Sequence, residues 1–115
     1  MRRNQHIPLV RGDHLTVTYT IYDDSNSPKD LTGAAILAHF RDSDGALKLS
    51  KSSADAAQIL ITDAVNGVFE LYLVPADTSG LTAGQYPYDV QVTIAANVAT
   101  VASGFLFLSA DVTYT

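Results

Sequence analysis

The sequence predicts an all-β protein, an antiparallel β-sandwich of seven to eight short strands. Three observations carry this. The dominant hydropathy period is two, as in Leu15, Val17, Tyr19 and Ile21 alternating with Thr16, Thr18 and Thr20. Clusters of turn-forming residues recur at roughly 8–12-residue spacing. No helical periodicity extends beyond about two turns.

The first long strand is Leu15–Ile21, with an apolar face and a threonine face. Asp23-Asp24-Ser25-Asn26-Ser27-Pro28 ends it, since Asn, Asp, Ser and Pro favour turns. The second strand runs over Ala34–Arg41, with Ile36, Ala38 and Phe40 on one face. Asp42-Ser43-Asp44-Gly45 turns the chain into a short strand, Ala46–Ser50. Ser52–Ala57 reads as an exposed loop and Ile59–Thr62 as a short strand.

Asp63-Ala64-Val65-Asn66-Gly67 is a turn, followed by Val68–Val74 with Phe69, Leu71 and Leu73 on one face. Pro75 to Gly80 allows one helical turn at most. Gln85–Ile94 has Tyr86, Tyr88, Val90, Val92 and Ile94 on one face. Ala95-Ala96-Asn97 turns the chain back into Val98–Leu108, with a kink or bulge expected at Ser103-Gly104. A closed barrel is the alternative architecture. The unequal strands and the long connection around Pro75–Gly84 favour the sandwich.

The 115 residues suit a single domain spanning 1–115, with residues 1–9 as an extended arm and 109–115 as a strand-donating tail. A chain of this size buries roughly 65% of its unfolded surface, enough for a core without staples. There is no cysteine, so disulfides and thiolate metal sites are excluded. A net charge of −5 argues against a nucleic-acid partner, which would need clustered Lys and Arg. No run of about 18 apolar residues is present to span a membrane as a helix. Met1–Val10 lacks the apolar stretch of a secretory signal.

Candidate sites reduce to structure on inspection. Arg11-Gly12-Asp13 spells an adhesion tripeptide, but a Gly bend before a strand accounts for it. His6, His14 and His39 have no metal-ligand spacing, and His39 should face solvent or a partner. Asp23, Asp24 and Asp30, or Asp42 with Asp44, could suggest calcium, yet the spacing of a calcium loop is missing. No Gly-x-Ser-x-Gly elbow occurs. The expectation is therefore no catalytic, cofactor-binding or metal-binding residue, and no cofactor. Thr16, Thr18 and Thr20 form either a solvated face or a flat interface for a neighbouring subunit.

The order of motifs resembles the immunoglobulin-like N-terminal domain of tailed-phage upper baseplate proteins and related small phage structural proteins. The resemblance covers about residues 10 to 108. It rests on Arg11-Gly12-Asp13, Asp30-Leu31-Thr32-Gly33, Phe40-Arg41-Asp42 and Gly67-Val68-Phe69-Glu70-Leu71. Its most specific part is Leu81-Thr82-Ala83-Gly84-Gln85-Tyr86-Pro87-Tyr88-Asp89-Val90.

The resemblance implies an immunoglobulin-like sandwich and an assembly context, without an active site. It implies a virion component of the tail, baseplate, head–tail region or capsid surface, made in the bacterial cytoplasm. The family's domain usually opens a longer chain, and the departure from that pattern here gives the expectation of a freestanding component. The partners would be other virion proteins and copies of the chain itself. A carbohydrate- or cell-surface-binding module is the rival reading. Sugar binders expose aromatic rings, whereas most Tyr here fall on apolar faces.

Overall fold

A computed structural model describes residues 3–110. Among them run nine strand segments: β1 (Arg3–Asn4), β2 (Ile7–Val10), β3 (Leu15–Thr20), β4 (Ala35–Arg41), β5 (Leu47–Ser52), β6 (Ile59–Asp63), β7 (Val68–Leu73), β8 (Gly84–Ile94) and β9 (Asn97–Ser109). One helical turn, α1 (Pro75–Thr78), joins β7 to β8. They form two sheets, β3-β7-β6 and β9-β8-β4-β5, and β1 and β2 add to the outer side of β9. Lettered as in an immunoglobulin sandwich, β3 to β9 are strands B, C, C′, D, E, F and G, with sheets B-E-D and C′-C-F-G. The chain is thus an immunoglobulin-like β-sandwich.

Period two in the sequence becomes one buried face per sheet. Tyr19, Phe69 and Leu71 from the smaller sheet meet Ile36, Phe40, Val90 and Leu106 from the larger, each at most 1% exposed. Tyr19 stacks on Phe69 and Phe40 on Tyr88, both with ring centroids 5.0 Å apart. Leu31, from Asp30-Leu31-Thr32-Gly33, is fully buried and donates its N–H to the Ala64 carbonyl, closing one end of the core. Gly67 has φ +73°, and a Cβ there would lie 2.5 Å from the Ile21 carbonyl oxygen and 2.7 Å from that of Lys29, both backbone atoms. Only glycine fits.

The connection before β8 is pinned by Tyr86. Its hydroxyl donates to the carbonyl of Thr82, four residues upstream. This is the tyrosine-corner arrangement expected where a sandwich chain crosses between sheets. Tyr86 and Tyr88 are both core residues, at 7% and 4% exposure.

Four features differ from the sequence reading. The arm is docked over its described part, because β1 and β2 run parallel to β9, with Ile7 opposite Leu106 and Leu9 opposite Leu108. That ladder departs from the otherwise antiparallel pairing. It buries Ile7 and Leu9, each worth about 1.5–3 kcal/mol of transfer free energy. The bulge in β9 falls not at Gly104 but between Val90↔Ala102 and Gln91↔Thr100, leaving Val101 as the extra residue, turned inward. Gly104 instead gives room to the N-terminal strand, since a Cβ there would collide with the Gln5 carbonyl.

β5 also extends to Ser52 and so includes Lys51, which is buried. Of the tail read as 109–115, Ser109 belongs to β9 and residues 111–115 lie outside the described residues.

The β8–β9 hairpin closes on two residues, Ala95 and Ala96, both with positive φ (50° and 70°), flanked by the pair Ile94↔Asn97. Alanine is unfavourable there, and Asn-Gly is the preferred pair for this turn. Replacing Ala95-Ala96 by Asn-Gly is expected to raise stability by about 1–2 kcal/mol. The check is a shift of the urea midpoint at constant m-value. An unchanged midpoint would mean that the turn does not hold two alanines in the left-handed region.

Candidate functional site

The edges of the two sheets are protected unequally. A strand edge presents N–H and C=O groups to any passing strand, and proteins guard it with charge, proline or a bulge. At β5 the guards are exposed Lys48, inward-facing Lys51 and a register shift at Phe40/Arg41. At β6 they are Asp63 and a shift between Ile61 and Asp63. The N-terminal edge is broken at Gln5-His6 and carries Pro8.

The fourth edge is β3, Leu-Thr-Val-Thr-Tyr-Thr. It has six residues in unbroken register with β7, and no charge, proline or bulge. Among the described residues no strand pairs with its other side.

Why β3 is open follows from the N-terminal strand. β2 pairs with β9 in the opposite sheet, so it leaves a cleft of about 260 Å³ between itself and β3. Gln5, His6, Ile7 and Pro8 form one wall and Leu15 to Thr18 the other. Peptide groups alternate sides along a strand. Ile21 turns its N–H to the Gly67 carbonyl, 2.9 Å away, on the side where β7 lies. Counting back, Val17 and Tyr19 also point their peptide groups at β7, while Thr16 and Thr18 point theirs to the open side. The side chains of Thr16 and Thr18 are exposed on the outer face, and Val17 faces the core.

The wall opposite β3 is held by a buried hydroxyl relay. Tyr88 on β8 donates to the carbonyl of Gln5. A phenol has one proton, so the Tyr19 hydroxyl, 2.8 Å away on β3, must be the donor to Tyr88. Tyr19 is fully buried. The relay therefore crosses the core from β3 to Gln5, between β1 and β2 on the opposite wall of the cleft. Gln5 N–H also donates to the Ser103 carbonyl at 2.9 Å.

A second surface lies on the outside of the larger sheet. His6 stacks on Phe105 (6.0 Å) and tilts against Phe107 (5.4 Å), and its Nδ1 accepts the Phe105 N–H at 3.1 Å. Phe105 is 39% exposed. A shallow depression of about 290 Å³ beside this row is lined by His39, Arg41, Pro87, Asp89 and Ser103. His39 is half-buried there, opposite Asp89 across the β4–β8 ladder and off the core face.

The other residues singled out in the sequence serve the fold. Arg11-Gly12-Asp13 is a turn, closed by Asp13 N–H to the Val10 carbonyl at 3.0 Å. Gly12 N–H donates to the hydroxyl of buried Thr78, tying the turn to α1. The turn aspartates bond their own loops. Asp23 Oδ1 accepts from Ser25 and Ser27 N–H, Asp30 from Thr32 N–H and Oγ1, and Asp42 from Asp44 and Ala46 N–H. The Thr32 hydroxyl holds the Asp30 carboxyl below its usual range, and the Ala46 N–H does the same for Asp42.

Among the described residues no three His, Cys, Asp or Glu side chains gather where they could hold a metal ion. On the outer face of β7 the Tyr72 hydroxyl donates to Glu70 at 2.8 Å, which raises the phenol's pKa.

The β3 threonine row was visible in the sequence, but the open edge beside it was not. It depends on which sheet residues 7–10 join, and alternation looks the same in either. No family model matches the chain, and no curated protein matches it.

Proposed function

We propose that the chain is a non-enzymatic phage or prophage structural protein. It acts in the tail, baseplate, head–tail region or capsid decoration through protein–protein assembly. The observation that carries this reading is the unguarded β3 edge. Three other edges bear charges, proline, breaks or bulges, so the absence of every such device on one six-residue strand in unbroken register supports a place for pairing. The row of His6, Phe105 and Phe107 supplies a second, apolar surface for a neighbour. The sequence motifs that resemble phage structural domains support the context. The most specific of them, Leu81 to Val90, forms the tyrosine corner and the start of β8.

The test is the particle. Quantitative mass spectrometry of purified virions, or of particles induced from the prophage, should find the chain at a fixed copy number in multiples of three, five or six. Its absence from washed particles would sink the assignment.

A further inference from the structure

We propose that the β3 edge receives residues 110–115 of a neighbouring copy as an added strand, linking subunits head to tail into a closed ring. The inference rests on the reading of the chain as an assembly subunit and names the partner of its open edge.

The acceptor is defined by geometry. Thr16 and Thr18 turn their peptide groups outward, and the cleft beside them is bounded by Ile7 and Pro8 on one side and by Leu15 and Val17 on the other. A strand laid along β3 would bond to those peptide groups. Its inward side chains would enter the cleft, and its outward ones would extend the threonine row. The occupant therefore needs small polar residues alternating with apolar ones, about six residues long, without proline.

Ala110-Asp111-Val112-Thr113-Tyr114-Thr115 has that pattern, with Val112 and Tyr114 to fill the cleft and Thr113 and Thr115 to face out. Extended at about 3.4 Å per residue, six residues cover roughly 20 Å, the length of β3.

β9 ends at Ser109, opposite Val10 at the end of β2, so the segment follows directly on a strand of the larger sheet, whereas the acceptor β3 belongs to the smaller one. Because donor and acceptor are different surfaces, the contact is heterologous, and a rotation that closes on itself makes it a cyclic ring.

A complementation experiment tests this. Thr18→Pro removes an outward N–H from the acceptor while leaving the bonds to β7 in place. Val112→Asp with Tyr114→Asp makes the donor unfit for an apolar cleft. By size-exclusion chromatography with light scattering at micromolar concentration, the unaltered protein should be a ring-sized oligomer and each variant a folded monomer.

Mixed 1:1, the two variants should form a heterodimer and nothing larger, since only one functional donor and one functional acceptor remain. A synthetic peptide of residues 110–115 should bind the donor-deficient variant saturably, and a scrambled peptide should not. This arm holds even where Thr18→Pro fails to fold.

Persistence of the oligomer in the donor-deficient variant would overturn the proposal. Monomeric unaltered protein, or no binding of the peptide, would overturn it as well. None of these results touches the assembly reading itself, which stands or falls on the chain's presence in particles.

Discussion

Replacing Tyr88 by Ala is expected to destabilise the protein by about 3–5 kcal/mol, out of the roughly 5–15 kcal/mol that a domain of this size possesses. The ring is 4% exposed and stacked on Phe40, so its removal opens a cavity between the sheets. Tyr88→Phe separates packing from polarity. It keeps the ring but leaves the Gln5 carbonyl without this donor and the Tyr19 hydroxyl without this acceptor, at a cost of about 1–3 kcal/mol.

Tyr86→Ala should also fall at about 3–5 kcal/mol, because the ring is core and its hydroxyl pins Thr82. His39→Ala is the control, at under about 0.5 kcal/mol, since that side chain lies off the core face. Urea denaturation of the four variants at one temperature decides the matter. If His39→Ala costs more than Tyr88→Ala, the register of β4 against β8 is wrong by one residue, because such a slip exchanges the two faces of a strand.

The same relay shows where sequence reading reaches and where it stops. Alternation places Tyr19, Tyr86 and Tyr88 on buried faces, because a half-buried strand must bury every second residue whatever its neighbours are. The tyrosine corner is legible for the same reason: Gly84 and Tyr86 stand at the start of a strand after a long connection. What alternation cannot encode is which strand lies beside which. Residues 7–10 alternate buried and exposed whether they join β3 or β9, so the parallel ladder to β9 and the open β3 edge were invisible.

The misplaced bulge has a related cause. Gly104 looks like a bulge residue, but its missing side chain makes room for the Gln5 backbone, 99 residues away in the chain. The extra residue is Val101, whose apolar character hides it among ordinary strand residues. Lys51 is a further case. It falls between the strand read as Ala46–Ser50 and the loop read as Ser52–Ala57, and only the position of α1 reveals a carboxylate behind it.

That lysine carries the second large expected effect. Lys51 Nζ lies 2.5 Å from Asp77 Oδ2, with the two side chains only 5% and 14% exposed. Asp77 also accepts the Val74 N–H at 2.9 Å, so one carboxylate both starts α1 and ties the β7–β8 connection to β5. Breaking a buried pair strands the remaining charge, which typically costs 3–5 kcal/mol. With Asp77 still partly hydrated, Lys51→Met is expected near the lower end, about 3 kcal/mol.

Lys51→Met combined with Asp77→Asn should recover most of that loss, because the amide oxygen can still accept from Val74 and no buried charge is left alone. Lys48→Met is the exposed counterpart. Its Nζ is 3.7 Å from Asp42 Oδ2 and the Lys48 side chain is 42% exposed, so the change should cost under about 0.5 kcal/mol and vanish in high salt. Denaturation midpoints of the three variants at low and high ionic strength separate the cases. A double variant no more stable than Lys51→Met would show that Lys51 matters through the packing of its methylene stem and not through its charge.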